Sequence, residues 1–65
     1  MRINLIGEMA KRNISINAIA DTLGIHRNSV ANKIYGKSDF TVEQAIKIHD
    51  RFFCDCDFKV LFTAR

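Results

Sequence analysis

The chain has no proline and no tryptophan, a single tyrosine, and only two cysteines in 65 residues. Without proline, helix ends must be set by capping side chains and by glycine. The cysteines, Cys54 and Cys56, are separated by one residue, a spacing that strains ordinary disulfide geometry and argues against a secreted disulfide scaffold. A structural zinc site needs four nitrogen or sulfur ligands, and beyond these thiols the chain offers only His26 and His49, in no finger-like spacing. No metal and no cofactor is therefore expected, and the thiols read as free, buried or half-buried groups. Long apolar runs are missing too: none approaches the roughly 20 residues of a membrane span. The opening residues break their apolar positions with Asn4, Gly7 and Glu8 before a leader core can form, so a cytoplasmic protein with no membrane association is expected.

What is present is a folded, mildly basic chain. Hydrophobic residues at 48% against charged residues at 26% argue for a globule over a disordered basic tail. The length predicts one domain over residues 1–65, and a chain this short buries only about 60% of its unfolded surface, so its core must be dense or helped by a partner. The net charge of +3 is unevenly spread. Residues 11–38 carry Lys11, Arg12, Arg27, Lys33 and Lys37 against Asp21 alone, a net of +4. From Asp39 onward, Lys47, Arg51, Lys59 and Arg65 face five carboxylates, Asp39, Glu43, Asp50, Asp55 and Asp57, a net of −1. The positive field belongs to the first half.

Apolar periodicity predicts five short helices and no strand. Ile3, Ile6 and Ala10 form the stripe of a first helix, widened by Leu5 and Met9. Ile16, Ile19, Ala20 and Leu23 fall at i, i+3, i+4 and i+7, with Ser15 in front as N-cap and Gly24 behind as a left-handed stop. Val30 and Ile34 mark the buried side of a third helix from about Arg27 to Tyr35, followed by Gly36. Thr41 and Gln44 have capping-box spacing at the start of a fourth helix, whose apolar arc takes in Val42, Ala45, Ile46, Ile48 and Phe52. Glu43 and Lys47 on its wet side are a favourable i, i+4 pair, and His49 reads as hydrogen-bonded and partly buried. Asp55 or Asp57 caps a last short helix through Phe58, Leu61 and Phe62.

The informative unit is the second and third helices joined by Leu23-Gly24-Ile25, where Gly24 permits a turn that strains any residue bearing Cβ and Ala20 allows close approach. This segment, Ile16 to Val30, resembles the Cro/phage-repressor (Xre-type) helix-turn-helix family. The resemblance rests on Ala20 four before Gly24, on Ile19, Leu23 and Ile25 around them, and on Val30 six after. It extends through Asn32-Lys33-Ile34-Tyr35-Gly36-Lys37 and Phe40-Thr41, as in small phage-type members. Two positions depart from the pattern. Lys33 stands where many members are apolar, with Ile34 taking the core contact, and Ile16 replaces a glutamine that often touches phosphate. The resemblance implies an all-α, lambda-repressor-like bundle that binds double-stranded DNA in a specific sequence and regulates transcription.

With Val30 and Ile34 inward, a step of about 100° per residue turns Asn28 and Asn32 outward and sets Ser29 and Tyr35 on the flanks. Arg27 can fork onto guanine, and Asn28 and Asn32 can pair bidentately with adenine, the chemistry that major-groove readout demands. Arg27, Asn28 and Asn32 are thus the leading base-contact candidates, with Ser29 and His26 beside them. Ser15 and Asn17 at the start of the second helix, and Lys33, Lys37 and Ser38 around the end of the third, are the phosphate candidates. Five of six aromatics follow residue 39. Among them Phe53, Phe58 and Phe62 are candidates for a homodimer contact, completion of a thin core being the other role open to them. No catalytic arrangement and no small-molecule site assembles, so the competing class is a protein-interaction module on the same fold.

Overall fold

A computed structural model describes residues 2–63. Met1 and Arg65, which entered the reading of the amino terminus and of the charge balance, lie outside the described residues. Five helices follow in order: α1 (Ile3–Arg12), α2 (Ile16–Leu23), α3 (Arg27–Ile34), α4 (Val42–Phe52) and α5 (Phe58–Leu61). No strand occurs among the described residues, so the chain is all-α as expected. No described helix is long and apolar enough to cross a membrane.

The ends of these helices are made by the side chains that the spacing singled out. Ser15 Oγ accepts the Ala18 amide at 3.1 Å, opening α2. Gly24, at φ +69°, closes α2 in the left-handed region that costs glycine least. Thr41 and Gln44 exchange both bonds of a capping box at 3.1 Å each, and Asp57, not Asp55, caps α5. α3 stops at Ile34, with Tyr35 as its C-cap and Gly36 at φ +89° turning the chain away. α1 ends without a glycine: Asn13 takes the left-handed conformation at φ +55°, which its short polar side chain tolerates better than most.

One apolar cluster joins Leu5, Met9, Ile19, Ala20, Val30, Ile34, Ile48, Phe53 and Leu61. It corrects the expected stripes in two places. The buried side of α1 runs through Leu5 and Met9, while Ile3 and Ala10 are exposed. On α4, Ala45 and Ile48 are buried, but Val42 is 73% and Ile46 45% exposed, so the apolar arc is wider than the core it meets. The reason is angular: at about 100° per residue, Val42 and Ile46 lie well round the helix from Ile48 and project past the flank of the bundle. The thiols are free as expected, yet Cys54 is exposed and only Cys56 is half-buried. His49 is half-buried and hydrogen-bonded, its Nε2 lying 2.7 Å from the Cys56 carbonyl oxygen.

Two arginines close the bundle. The Arg2 backbone amide donates to the Ile34 carbonyl at 2.8 Å, while its guanidinium donates to the Phe62 carbonyl and to Asp39. Arg12 forks onto the Asp55 carboxylate at 2.7 and 2.9 Å, donates to the Phe52 carbonyl at 3.0 Å and lies over the Phe53 ring. Hydrogen bonding from Arg12 holds the Asp55 carboxyl below the ordinary aspartate range, and a bond from Lys11 does the same for Glu8. Both carboxylates have folded values depressed below their unfolded ones, so their stabilisation is present above the unfolded value and lost as pH falls through the folded one. The melting temperature should therefore drop on acidification below about pH 4, the ordinary carboxylate range. Asp55→Asn should lower the melting temperature at neutral pH and flatten that acid limb, as followed by circular dichroism. An acid limb identical in Asp55→Asn and the parent would assign no linkage to the pair.

Candidate nucleic-acid interface

α3 presents its outer strip because its inner one is fully used. Val30 and Ile34 are buried, which leaves Asn28 and Asn32 on the opposite side, Ser29 on one flank and Arg27 at the first turn. All four of these polar residues are exposed, so the base-contact candidates lie together along one helix of about two turns. Ile34, not Lys33, fills the core position at the end of α3.

His26 is the N-cap of this helix. Its Nδ1 accepts the Asn28 amide at 3.0 Å, which places the proton of the neutral ring on Nε2 and aims a donor away from the helix. The imidazole is thus oriented by the helix it starts. Ser15 caps α2 in the same way, and the exposed Asn17 follows it. The amides of Ile16 and Asn17 have no partner among the described residues, so the amino end of α2 retains donors for an anion. Ile16 itself packs against the core, consistent with its offering no polar contact.

The loop after α3 is less open than its sequence suggests. The backbone amides of Lys37 and Ser38 both donate to the Asn32 carbonyl, at 2.8 and 3.3 Å, so only the side chains of these exposed residues face outward. Lys33 makes a bond that its sequence does not announce. Its Nζ donates to the Asp39 carbonyl at 2.9 Å, and the half-buried stem runs along the loop, so its ammonium is a clasp between α3 and the chain entering α4.

Ion pairing sharpens the charge pattern. Arg12 is spent on Asp55 and Glu8, Lys11 on Glu8, and Arg2 on Asp39. Of the cations in residues 11–38, the side chains of Arg27 and Lys37 remain without a hydrogen bond or ion pair to described residues. The free positive charge of that segment therefore sits on α3 and the loop beyond it.

Tyr35, which the helical step sets on a flank of this strip, is 55% exposed one turn from Asn32 and Ala31. An aromatic ring ending an otherwise polar strip was the signal available for it. Its hydroxyl adds a donor at the edge of the candidate surface.

Of the three aromatic residues considered for a dimer contact, Phe53 is excluded. It has no solvent exposure, because the chain leaves the helical path at φ −134° and turns its ring inward. Phe58 is exposed and Phe62 half-buried, their rings tilted against each other with centroids 5.1 Å apart. A shallow trough on another side, lined by Ala18, Asp21, Thr22, Arg51 and Phe52, shares no residue with the α3 strip. Among the described residues no cluster of histidine, cysteine or carboxylate side chains could hold a metal ion. No protein-family model, curated protein or solved structure matches the chain.

Proposed function

We propose that the chain is a sequence-specific double-stranded DNA-binding regulator of the phage-repressor or Cro kind, acting by occupying an operator. The observation that carries this reading is the exposed strip Asn28, Ser29 and Asn32, with Arg27 exposed at the first turn, on a helix whose other side is locked into the core. These are the side chains that discriminate base edges in a major groove, and they stand on a rigid support. In this reading α2 and α3 act as a helix-turn-helix, with α3 as the reading helix. His26 Nε2, Ser15, Asn17, Lys37, Ser38 and Tyr35 supply donors to phosphate or to flanking base edges, and Lys33 keeps the loop in place. Of the cations in residues 11–38, the two whose side chains bond to no described residue, Arg27 and Lys37, lie on this same surface, which supports a polyanionic partner.

The test is selection of duplexes from a random pool, followed by binding measurements over a salt series. A regulator enriches one sequence, retains preference for it over competitor DNA, and loses affinity steeply as salt rises, with a log–log slope of about −0.9 per phosphate contact. No enrichment, together with an affinity indifferent to salt, would overturn the reading in favour of a protein-recruiting module.

A further inference from the structure

The turn between α4 and α5 carries chemistry that DNA reading leaves unused. It holds both thiols of the chain, Cys54 exposed and Cys56 half-buried, and they are not bonded to each other. The Cys56 amide donates to the Phe53 carbonyl at 2.9 Å, so the two cysteines take the second and fourth positions of one tight turn. Residues two apart reach at most about 7 Å between Cα atoms, and the bend of a turn shortens that into the span a disulfide bridges. The Cys56 backbone is held from a second side, with His49 Nε2 2.7 Å from its carbonyl oxygen. Its Sγ accepts from Arg12 Nη2 at 3.1 Å and donates to Glu8 Oε1 at 3.8 Å. A thiol fixed between a cation and a carboxylate, with a solvent-facing thiol two residues away, is the arrangement of a resolving thiol behind an entry thiol.

We propose that Cys54 and Cys56 form a thiol–disulfide exchange site whose substrates are disulfides of low molecular weight. The exposed Cys54 thiolate attacks one sulfur of the small disulfide, forms a mixed disulfide and releases the other half, which leaves as a thiol carrying the Cys54 proton. Cys56 then attacks the Cys54 sulfur and the second half departs, taking the Cys56 proton as it leaves. The two protein thiols lose two electrons and two protons in all, and the small disulfide gains them. Arg12 favours the second attack, because its guanidinium lies beside the sulfur on which negative charge develops. Burial opposes that charge, as do the Asp55 and Glu8 carboxylates, and together they push the resting Cys56 thiol up against the pull of Arg12. The spacing that argues against a structural bridge suits an exchangeable one: a ring closed over a single intervening residue is strained, and strained bridges are readily reduced.

The test is incubation of the reduced full chain with glutathione disulfide, at micromolar protein and without DNA, followed by acid quenching, alkylation and mass spectrometry of the intact chain. The parent should pass through a glutathione adduct and end with both thiols closed to alkylation and no adduct retained. Excess reduced glutathione should restore both thiols. Cys56→Ser should stop at the adduct on Cys54, and Cys54→Ser should form its adduct at least about tenfold more slowly than the parent, because the remaining thiol is half-buried. Glu8→Gln, checked for folding by circular dichroism, removes a carboxylate from beside the Cys56 sulfur. A gain of about tenfold in thiolate, less about threefold in intrinsic nucleophilicity, should speed closure about threefold near neutral pH. At a pH high enough to ionise Cys56 in both chains, the parent should be the faster, a crossover that a purely structural effect of the substitution would not produce. A parent that keeps the adduct, a parent that links two chains through Cys54 instead of closing internally, or a closure rate indifferent to Glu8→Gln at every pH would each overturn the proposal. Because no DNA is present, none of these results bears on the reading of α3.

Discussion

Phe53→Ala should leave the chain largely unfolded at room temperature. Phe53 is completely buried, joins residues of α1, α2, α3, α4 and α5 in one cluster, and carries the Arg12 guanidinium over its ring. Truncating such a side chain costs about 3–5 kcal/mol, through lost transfer energy and the cavity left behind. At the usual stability per residue a chain of this size has roughly 3–10 kcal/mol in total, and small single cores tend to the lower end. The loss is therefore comparable with the whole. Circular dichroism should show reduced helicity and no cooperative melt. Phe58→Ala, removing a ring that is 37% exposed, should cost less than about 1 kcal/mol and keep the cooperative transition. A Phe53→Ala chain melting close to the parent would mean that the ring is not part of the working core.

The contrast between Phe53 and Phe58 shows where the sequence was legible. Periodicity placed Val30, Ile34, Ile19 and Ala20 correctly, because each lies inside a helix whose register is shared by its neighbours. Caps were equally readable: Ser15, Gly24, Thr41 with Gln44, and Asp57 act within four residues of their partners. Phe53 sits just past the last helical residue, where a helical projection puts it on the flank of Val42 and Ile46, and the departure of the backbone from the helix reverses that placement. Arg12 counts toward the positive field of the first half, and Arg2 is cancelled there by Glu8. Their partners, Phe62, Asp39, Phe52 and Asp55, are distant in the chain, and no local pattern announces such pairs. The bond from Lys33 to the Asp39 carbonyl is hidden for a related reason, since only the path of the loop brings that carbonyl to its ammonium. The polar strip of α3 was visible because it is the complement of a two-residue core stripe, and that complement follows from helix geometry alone.

Arg27→Ala and Lys37→Ala should weaken DNA binding in different ways, and the difference tests the assignment of α3. Both cations are unpaired within the described residues, so neither substitution removes an internal ion pair, and both variants should fold like the parent. A bidentate contact from Arg27 to a guanine edge is worth about 1–3 kcal/mol of discrimination, so Arg27→Ala should lower affinity for the selected duplex by roughly 5- to 150-fold. Its affinity for unrelated duplexes should change far less, and selection repeated with this variant should lose preference at one base pair of each half-site. Lys37 stands beyond the helix on a loop whose amides are already bonded to Asn32, leaving its ammonium to meet a phosphate. Lys37→Ala should therefore weaken every sequence alike and reduce the salt slope by about one. Fluorescence anisotropy with selected and scrambled duplexes over a salt series separates the two patterns. If Arg27→Ala instead lowers both duplexes equally and shortens the salt slope, Arg27 is a backbone contact, and base reading falls to Asn28 and Asn32 at the centre of the strip. If neither substitution changes binding to the selected duplex, α3 is not the helix that enters the groove.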